Sequence, residues 1–357
     1  MPSSSPQLAD TAGQVVIAVD PHKASWTAVA VDARLQPLGA VRAPVSKAGY
    51  RQLQRFAQAW PQAHWAIEGA RGLGAPLTAR LADDGIAVLD VPAKLARRVR
   101  LLSPGHGRKT DEADALSVGI AAQTATGLHV AHLDESVAAL RALIEHREDL
   151  VRTRTQTINR LHALLTKLVP AGLPRKLTAD IAARTLRGVR PRAKLGRTLR
   201  ALAVDLIAEI RRLDRRITVV ADQISAAVAE SGTTLTELHG IGDLLAAKIL
   251  ARTAGVDRFR SAAAFASYCG VAPLDASSGD VKRHRLSRAG DRQLNCALHI
   301  MAITQIRRQT AGRDFYQRKR AEGKSHKEAL RSLKRRLCDV VYRTMIKDCA
   351  SPRSVET

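Results

Sequence analysis

Val15-Val16-Ile17-Ala18-Val19-Asp20 is the stretch on which the fold of this chain turns. It is an apolar, strand-like run ended by a carboxylate. Two more strand-like runs follow, at 26–32 (Trp26-Thr27-Ala28-Val29-Ala30-Val31-Asp32) and 38–45. The spacing then predicts a helix from Gly49 to Ala59 and a strand, His64-Trp65-Ala66-Ile67-Glu68, again closed by an acid. A helix near 74–83, a strand at 86–91 and a helix from Asp111 to Thr124 complete the unit. Alternating periodicities of this kind indicate an α/β domain.

Three strands, then helix, strand, helix, strand, helix, is the element order of a ribonuclease-H-like fold. A carboxylate at a strand's end projects into the crevice beyond the sheet, where ligands gather in α/β folds. In Lys109-Thr110-Asp111-Glu112-Ala113-Asp114-Ala115 two acids lie three apart at a helix start and share one face. Asp20, Glu68, Asp111 and Asp114 are therefore expected to converge. Such carboxylates repel one another unless a cation compensates them. Oxygen donors of this type suit Mg²⁺ (or Mn²⁺), which leaves room for phosphate and water.

Composition narrows the partner. The 357 residues carry 57 Lys and Arg against 33 Asp and Glu, a formal charge of +24. An excess of that size points to a polyanion, nucleic acid first. No segment reaches the roughly 18 apolar residues of a spanning helix, which predicts no membrane insertion. The polar start, Met1-Pro2-Ser3-Ser4-Ser5-Pro6, lacks the features of a signal peptide and is expected to be a disordered tail. Cys269, Cys296, Cys338 and Cys349 form no metal-ligand spacing and read as thiols of a reducing cytoplasm. Aromatics are 3% of residues, so phosphate contact rather than base stacking is the expected binding mode.

Beyond 130 the pattern becomes helical. One heptad runs Leu133, Val137, Leu140, Ile144, Val151, Ile158, Leu161, Leu165, Leu168, with Arg147 and Arg154 at seam positions. A second runs Ala203, Leu206, Ile210, Leu213, Ile217, Val220, Ile224, Ala227. They predict a coiled-coil helical hairpin that also dimerises, with the Pro- and Arg-rich stretch 170–194 as its turn or loop. Leu238-His239-Gly240-Ile241-Gly242 reads as a Gly-rich hairpin opening a helix, with Gly240 and Gly242 freeing backbone N–H groups toward phosphate. Residues 282–347 hold 19 Lys and Arg against 5 Asp and Glu, with a buried stripe at Leu330, Leu333 and Leu337. Ser103-Pro104-Gly105-His106-Gly107-Arg108-Lys109-Thr110 is not a phosphate loop and is expected to be a mobile basic loop beside the acids. Pro273 to Asp280 reads as a turn whose serines precede Lys282, Arg283, His284, Arg285 and Arg288. A serine among cations could attack a phosphate.

These residues together resemble the DEDD transposases of the IS-one-ten group of insertion sequences, relatives of the Piv invertase. The amino-terminal signature is matched by Val-Ile-Ala-Val-Asp20, Ala-Ile-Glu68-Gly-Ala with Gly72, and Lys-Thr-Asp111-Glu-Ala-Asp114-Ala. The carboxy-terminal one is matched by Gly240-Ile241-Gly242, Arg258-Phe259-Arg260-Ser261, Ala266 to Pro273, Ser278-Gly279 and Ser287-Arg288-Ala289-Gly290. The resemblance spans about 14–345 and implies a RuvC-like domain whose metal-binding tetrad is Asp20, Glu68, Asp111 and Asp114. It implies Ser278 as a nucleophile bonding covalently to DNA, with Ser277 beside it. It further implies a bridge-RNA guide, DNA partners (element ends and target) and a homo-oligomer, dimer or tetramer. Cys269 departs from the small residues commoner in its stretch, and no chemistry is expected of it.

The resulting expectation is a recombinase in five segments. They are a tail at 1–13, a RuvC-like DEDD domain at 14–130, a hairpin at 131–232, a helical domain with a helix-hairpin-helix-like segment at 233–348, and a tail at 349–357. Arg108, Lys109, Gly240, Gly242, Lys282, Arg283, Arg285 and Arg288 are its expected nucleic-acid contacts, and the nucleoid-associated cytoplasm its expected location. The rivals are a metal-dependent Holliday-junction-type endonuclease and a non-catalytic basic nucleic-acid-binding protein.

Overall fold

The computed structural model describes residues 14–102, 110–131, 134–169, 172–174, 176–275, 284–285 and 290–350. The chain divides into two compact units, 1–134 and 135–357. In the first, β1 (Val16–Pro21), β2 (Ser25–Val31) and β3 (Pro37–Pro44) form an antiparallel meander. After α1 (Lys47–Ala57), β4 (His64–Glu68) lies parallel to β1; after α2 (Ala75–Asp83), β5 (Val88–Val91) lies parallel to β4. Then come α3 (Ala93–Leu102), α4 (Asp111–Thr124) and the two-residue β6 (His129–Val130). The sheet order is β3-β2-β1-β4-β5-β6. A three-strand meander continued by parallel strands is the ribonuclease-H-like topology that the sequence predicts.

The sheet is covered on both faces, which is why β1 and β2 are buried at every position. One core gathers Ile17, Val19, Trp26, Leu53, Ile67, Leu77 and Leu81. The other packs Val16, Ala18, Ala66 and Val91 against Val118 and Ala121 of α4. Gly119 sets the closeness of that packing: a Cβ there would meet Val31 Cγ2 at 2.4 Å. Helix α3 has a short apolar face (Leu95, Ala96, Val99) among four basic residues, and sequence reading passed over it.

In the second unit α5 (Glu135–Leu168) and α7 (Lys194–Glu230) run antiparallel, pairing Leu161 and Leu165 with Ala203, Ile207 and Ile210 at one end. At the other end Leu140 and Leu150 join Leu213, Val220 and Ile224 in a core shared with the C-terminal helices. Two expectations need correction. Leu150 is buried, and Val151 is 37% exposed, so the seam leaves the heptad frame there. At its base α5 shares a core with the C-terminal helices and farther out one with α6 and α7, and a straight helix of 3.6 residues per turn drifts out of a 3.5-residue frame along that length. The stretch 170–194 is also no mere loop, because α6 (Ala179–Arg187) lies inside it. Thr178 caps that helix by accepting from Ile181 N at 3.2 Å, and Ala182 and Leu186 bury its inner face.

The remaining elements are a 3₁₀ turn (Leu235–Glu237), α8 (Asp243–Thr253), α9 (Ala262–Tyr268), β7 (Leu274–Asp275), β8 (His284–Arg285), α10 (Arg292–Ile306), α11 (Ala311–Ala321) and α12 (His326–Ala350). Leu333, Leu337 and Val341 form the buried stripe of α12. Among the described residues no helix is long and apolar enough to cross a membrane.

Candidate active site and nucleic-acid interface

Register places the first two acids side by side. Val19 pairs with Ile67 in the parallel β1–β4 ladder, so Asp20 and Glu68 follow at the same end of neighbouring strands. The close approach of α4 allowed by Gly119 brings its first turn to that end. Thr110 caps α4, accepting from Ala113 N at 3.2 Å, and fixes Asp111 and Asp114 in the turn where the helix dipole favours anions. Asp20 and Asp114 are buried, at 7% and 9% exposure. Glu68 registers the crowding: burial, then the Asp20 and Asp114 carboxylates, push its carboxyl above the usual range against the pull of Arg100 and His22.

Three basic side chains that sequence reading missed line the cluster. His22 Nε2 lies 3.2 Å from both Asp20 Oδ2 and Asp111 Oδ1, in hydrogen-bond alignment with neither. Arg42 Nη1 on β3 is 3.4 Å from Asp111 Oδ2, and Arg100 on α3 pairs with Asp114. A fifth acid is structural. Asp90 on β5 accepts from Ala70 N at 3.0 Å and faces Arg71 Nε at 3.7 Å, bracing the Gly69 turn (φ +58°) after Glu68. His22 stands two residues past Asp20 and could have been suspected from that; Arg42 and Arg100 carry no local signal.

The donor set fits a hard divalent cation, since four carboxylates with a mutual charge conflict are what such an ion relieves. They are nevertheless spread around their own cations. Among the described residues no three His, Cys, Asp or Glu side chains are placed to enclose a metal.

In the second unit Gly240 adopts φ +93°, and a Cβ there would lie 3.1 Å from Met301 O. Gln305 Nε2 donates to His239 O at 2.9 Å, and Gly242 caps α8 through its backbone. Leu274 and Asp275 pair with Arg285 and His284. Ser278, Lys282, Arg283 and Arg288 lie outside the described residues, as do Arg108, Lys109 and the rest of the 103–109 loop. What flanks the serine segment is well defined. Gly270 (φ +68°) and Gly290 touch, so that a Cβ on Gly290 would fall 2.2 Å from Gly270 Cα. Asp291 N donates to Tyr268 O at 2.7 Å, and Asn295 Nδ2 donates to Cys269 O and Gly270 O at 3.1 and 3.0 Å. Lys334, buried with its ammonium pushed down by that burial, donates to Asn295 Oδ1 at 2.5 Å. Cys269 is buried, and its hydrogen bond with Cys338, together with burial, pushes its thiol far up, leaving it unreactive.

A basic surface lies on α11 and α12. Arg318, Lys319 and Arg336 gather around the Phe315 ring at 5.4, 5.7 and 5.9 Å. Lys319 pairs with Glu322, whereas Arg318 and Arg336 meet no carboxylate at ion-pair distance among the described residues.

Comparison with known proteins agrees with this architecture. Residues 17–170 match the transposase family description DEDD_Tnp_IS110, and residues 232–317 match the transposase IS116/IS110/IS902 family. The insertion element IS110 uncharacterized 43.6 kDa protein of Streptomyces coelicolor is 30% identical, covering 79% of this chain and 81% of its own. The insertion element IS116 uncharacterized 44.8 kDa protein of Streptomyces clavuligerus is 29% identical over 94% of this chain and 95% of its own. A solved structure, T. thermophilus RuvC in complex with Holliday junction substrate, aligns at TM-score 0.25 and 14% identity over 30% of this chain and 91% of that one. The chain belongs to the IS110/IS116/IS902 family of insertion-element transposases.

Proposed function

We propose that this transposase cuts and rejoins DNA through a covalent phosphoserine at Ser278, with Asp20, Glu68, Asp111 and Asp114 as the seat of Mg²⁺ or Mn²⁺, under the guidance of a bridge RNA. The observation that carries it is the gathering of buried Asp20 and Asp114 with an up-shifted Glu68 at one end of the sheet. Acids crowded at such cost have no evident role in stability. A bound divalent cation supplies charge neutralisation at the scissile phosphate and a lowered pKa at a coordinated oxygen.

In the step assigned to Ser278, its Oγ bonds to phosphorus, one P–O ester bond breaks, the serine proton is lost and the leaving sugar oxygen gains one. Attack by a strand hydroxyl on the phosphoserine reverses the exchange and restores the serine, so no nucleotide is consumed. Arg285 in β8 and Lys282, Arg283 and Arg288 in the chain around it supply positive charge for the phosphate. The hairpin serves as the oligomer contact, Gly240 and Gly242 present backbone N–H groups to phosphate, and Arg108 and Lys109 add further nucleic-acid contacts. The chain works where the DNA is, at the nucleoid.

The test is a covalent adduct. Labelled element-end DNA incubated with the protein, Mg²⁺ and its co-purifying RNA should give a labelled band that survives denaturation. That band should vanish in S278A, persist in S277A and fall at least about 100-fold in D20A. Cleavage without any adduct would instead establish the second reading, a hydrolytic junction endonuclease. That reading is favoured by the gathering of all four acids within residues 14–134. Nucleic-acid binding with every activity unaltered in D20A and D114A would leave only a binding protein.

A further inference from the structure

Each acid of the site but one is matched by a basic side chain of the chain's own, and these come from three separate places in the fold. His22 follows β1, Arg42 lies on the edge strand β3, and Arg100 lies on α3. Glu68 alone has no cationic side chain at ion-pair distance among the described residues. The pairs are unequal: the Arg42 side chain is 67% exposed and that of Arg100 31%, against 37% for Asp111 and 12% for Asp114. An ion pair as open as Arg42–Asp111 adds little to stability, so its placement calls for another reason.

A divalent ion and a guanidinium on one carboxylate compete, because each places positive charge where the other sits. A guanidinium released from a carboxylate keeps its planar fork of donors, which matches a phosphate as well as it matched the carboxylate. We propose that Arg100 and Arg42 are exchangeable counter-ions: they hold Asp114 and Asp111 in the nucleic-acid-free protein and pass to a DNA phosphate when a divalent cation takes the carboxylates. Cation and DNA then bind with positive coupling, and the coupling is reciprocal. Arg100 and Arg42 are in this sense positioning residues. The inference rests on the reading of the four acids as a cation site.

The experiment measures Mn²⁺ binding, by the loss of the free-ion paramagnetic signal, to the full-length S278A chain with and without a 30-base-pair duplex. The duplex should tighten Mn²⁺ binding about tenfold. R100Q should bind Mn²⁺ about tenfold more tightly than its parent without DNA and lose most of the duplex effect. R42Q should shift both in the same direction by less, since its pair is more exposed. Its strand is an edge, so it guards against a fold defect in R100Q, as does a melting curve taken without metal. Mn²⁺ binding that is equally tight and equally DNA-dependent in parent, R100Q and R42Q overturns the exchange while leaving the cation site standing. If no chain binds Mn²⁺ under any condition, the cation site itself falls, and the exchange with it.

Discussion

Glu68 carries the site's unrelieved charge, and its ionisation should be visible in stability. Its carboxyl holds a proton more tightly in the folded chain than in the unfolded one. Protonated Glu68 therefore favours the fold fully below the ordinary carboxylate range, and that contribution is lost as pH rises through the folded value. Without divalent ions, E68Q should melt a few degrees above the parent at pH 8, and the gain should disappear as pH falls below about 4. Differential scanning calorimetry at the two pH values decides it; an unaltered or lower Tm at pH 8 contradicts the charge crowding. Asp20 and Glu68 were legible in the sequence because an acid seldom ends an apolar strand without cause. Arg42 and Arg100 were not, because their meaning lies in a β3 edge and an α3 packing angle that no spacing encodes.

At the scale of elements, α10 begins on Asp291, which caps the helix and pairs with Arg252 of α8. Burial alone would raise the Asp291 carboxyl, but the Leu294 amide, Arg252 and the Gln293 amide outweigh it and hold it below the usual range. Asp291 accepts from Gln293 N and Leu294 N at 2.8 and 2.9 Å and pairs with Arg252 at 2.6 Å. D291A should cost about 2 kcal/mol, from a lost cap and a part-buried charge pair. Because the folded pKa is depressed, that stability is present above the unfolded value near pH 4 and lost as pH falls through the folded one. Urea titrations of parent and D291A should therefore converge in acid. Element order was readable from periodicity over most of residues 14–131, but not at α3, whose short apolar face lies among basic residues, nor at the two-residue β6. Helix α6 escaped because Pro and Arg at its borders outweighed a two-turn apolar face. The α5 seam was misframed at Val151 because a heptad assumes one partner, and α5 has two. Arg154, read at a seam position, reaches across to Asp214 on α7.

Over the whole molecule, the +24 charge is not spread evenly. Arg318 and Arg336 lie over the Phe315 ring and meet no carboxylate at ion-pair distance among the described residues, so the patch suits the sugar–phosphate backbone. Each phosphate contact contributes about 0.9 to the slope of log K against log salt. R318Q/R336Q should make that slope shallower by roughly 2, read by fluorescence anisotropy of a duplex between 50 and 300 mM salt. A charge-matched pair on α7, R211Q/R212Q, should leave the slope nearer the parent's. Equal losses in the two pairs would mean that only total charge matters. The sequence disclosed the surplus and its C-terminal bias; which cations go without a carboxylate depends on how α11 lies against α12.

The contact between Gly270 and Gly290 has a consequence for the segment that runs between them. The two backbones meet directly and are stapled by Asp291 N to Tyr268 O, with Asn295 and Lys334 behind. The peptide between those glycines starts and finishes at points held by backbone contacts, with Val271 and Ala272 at its start also packed on the core. A β-carbon on Gly290 would force the two backbones apart and so move both ends of that segment at once.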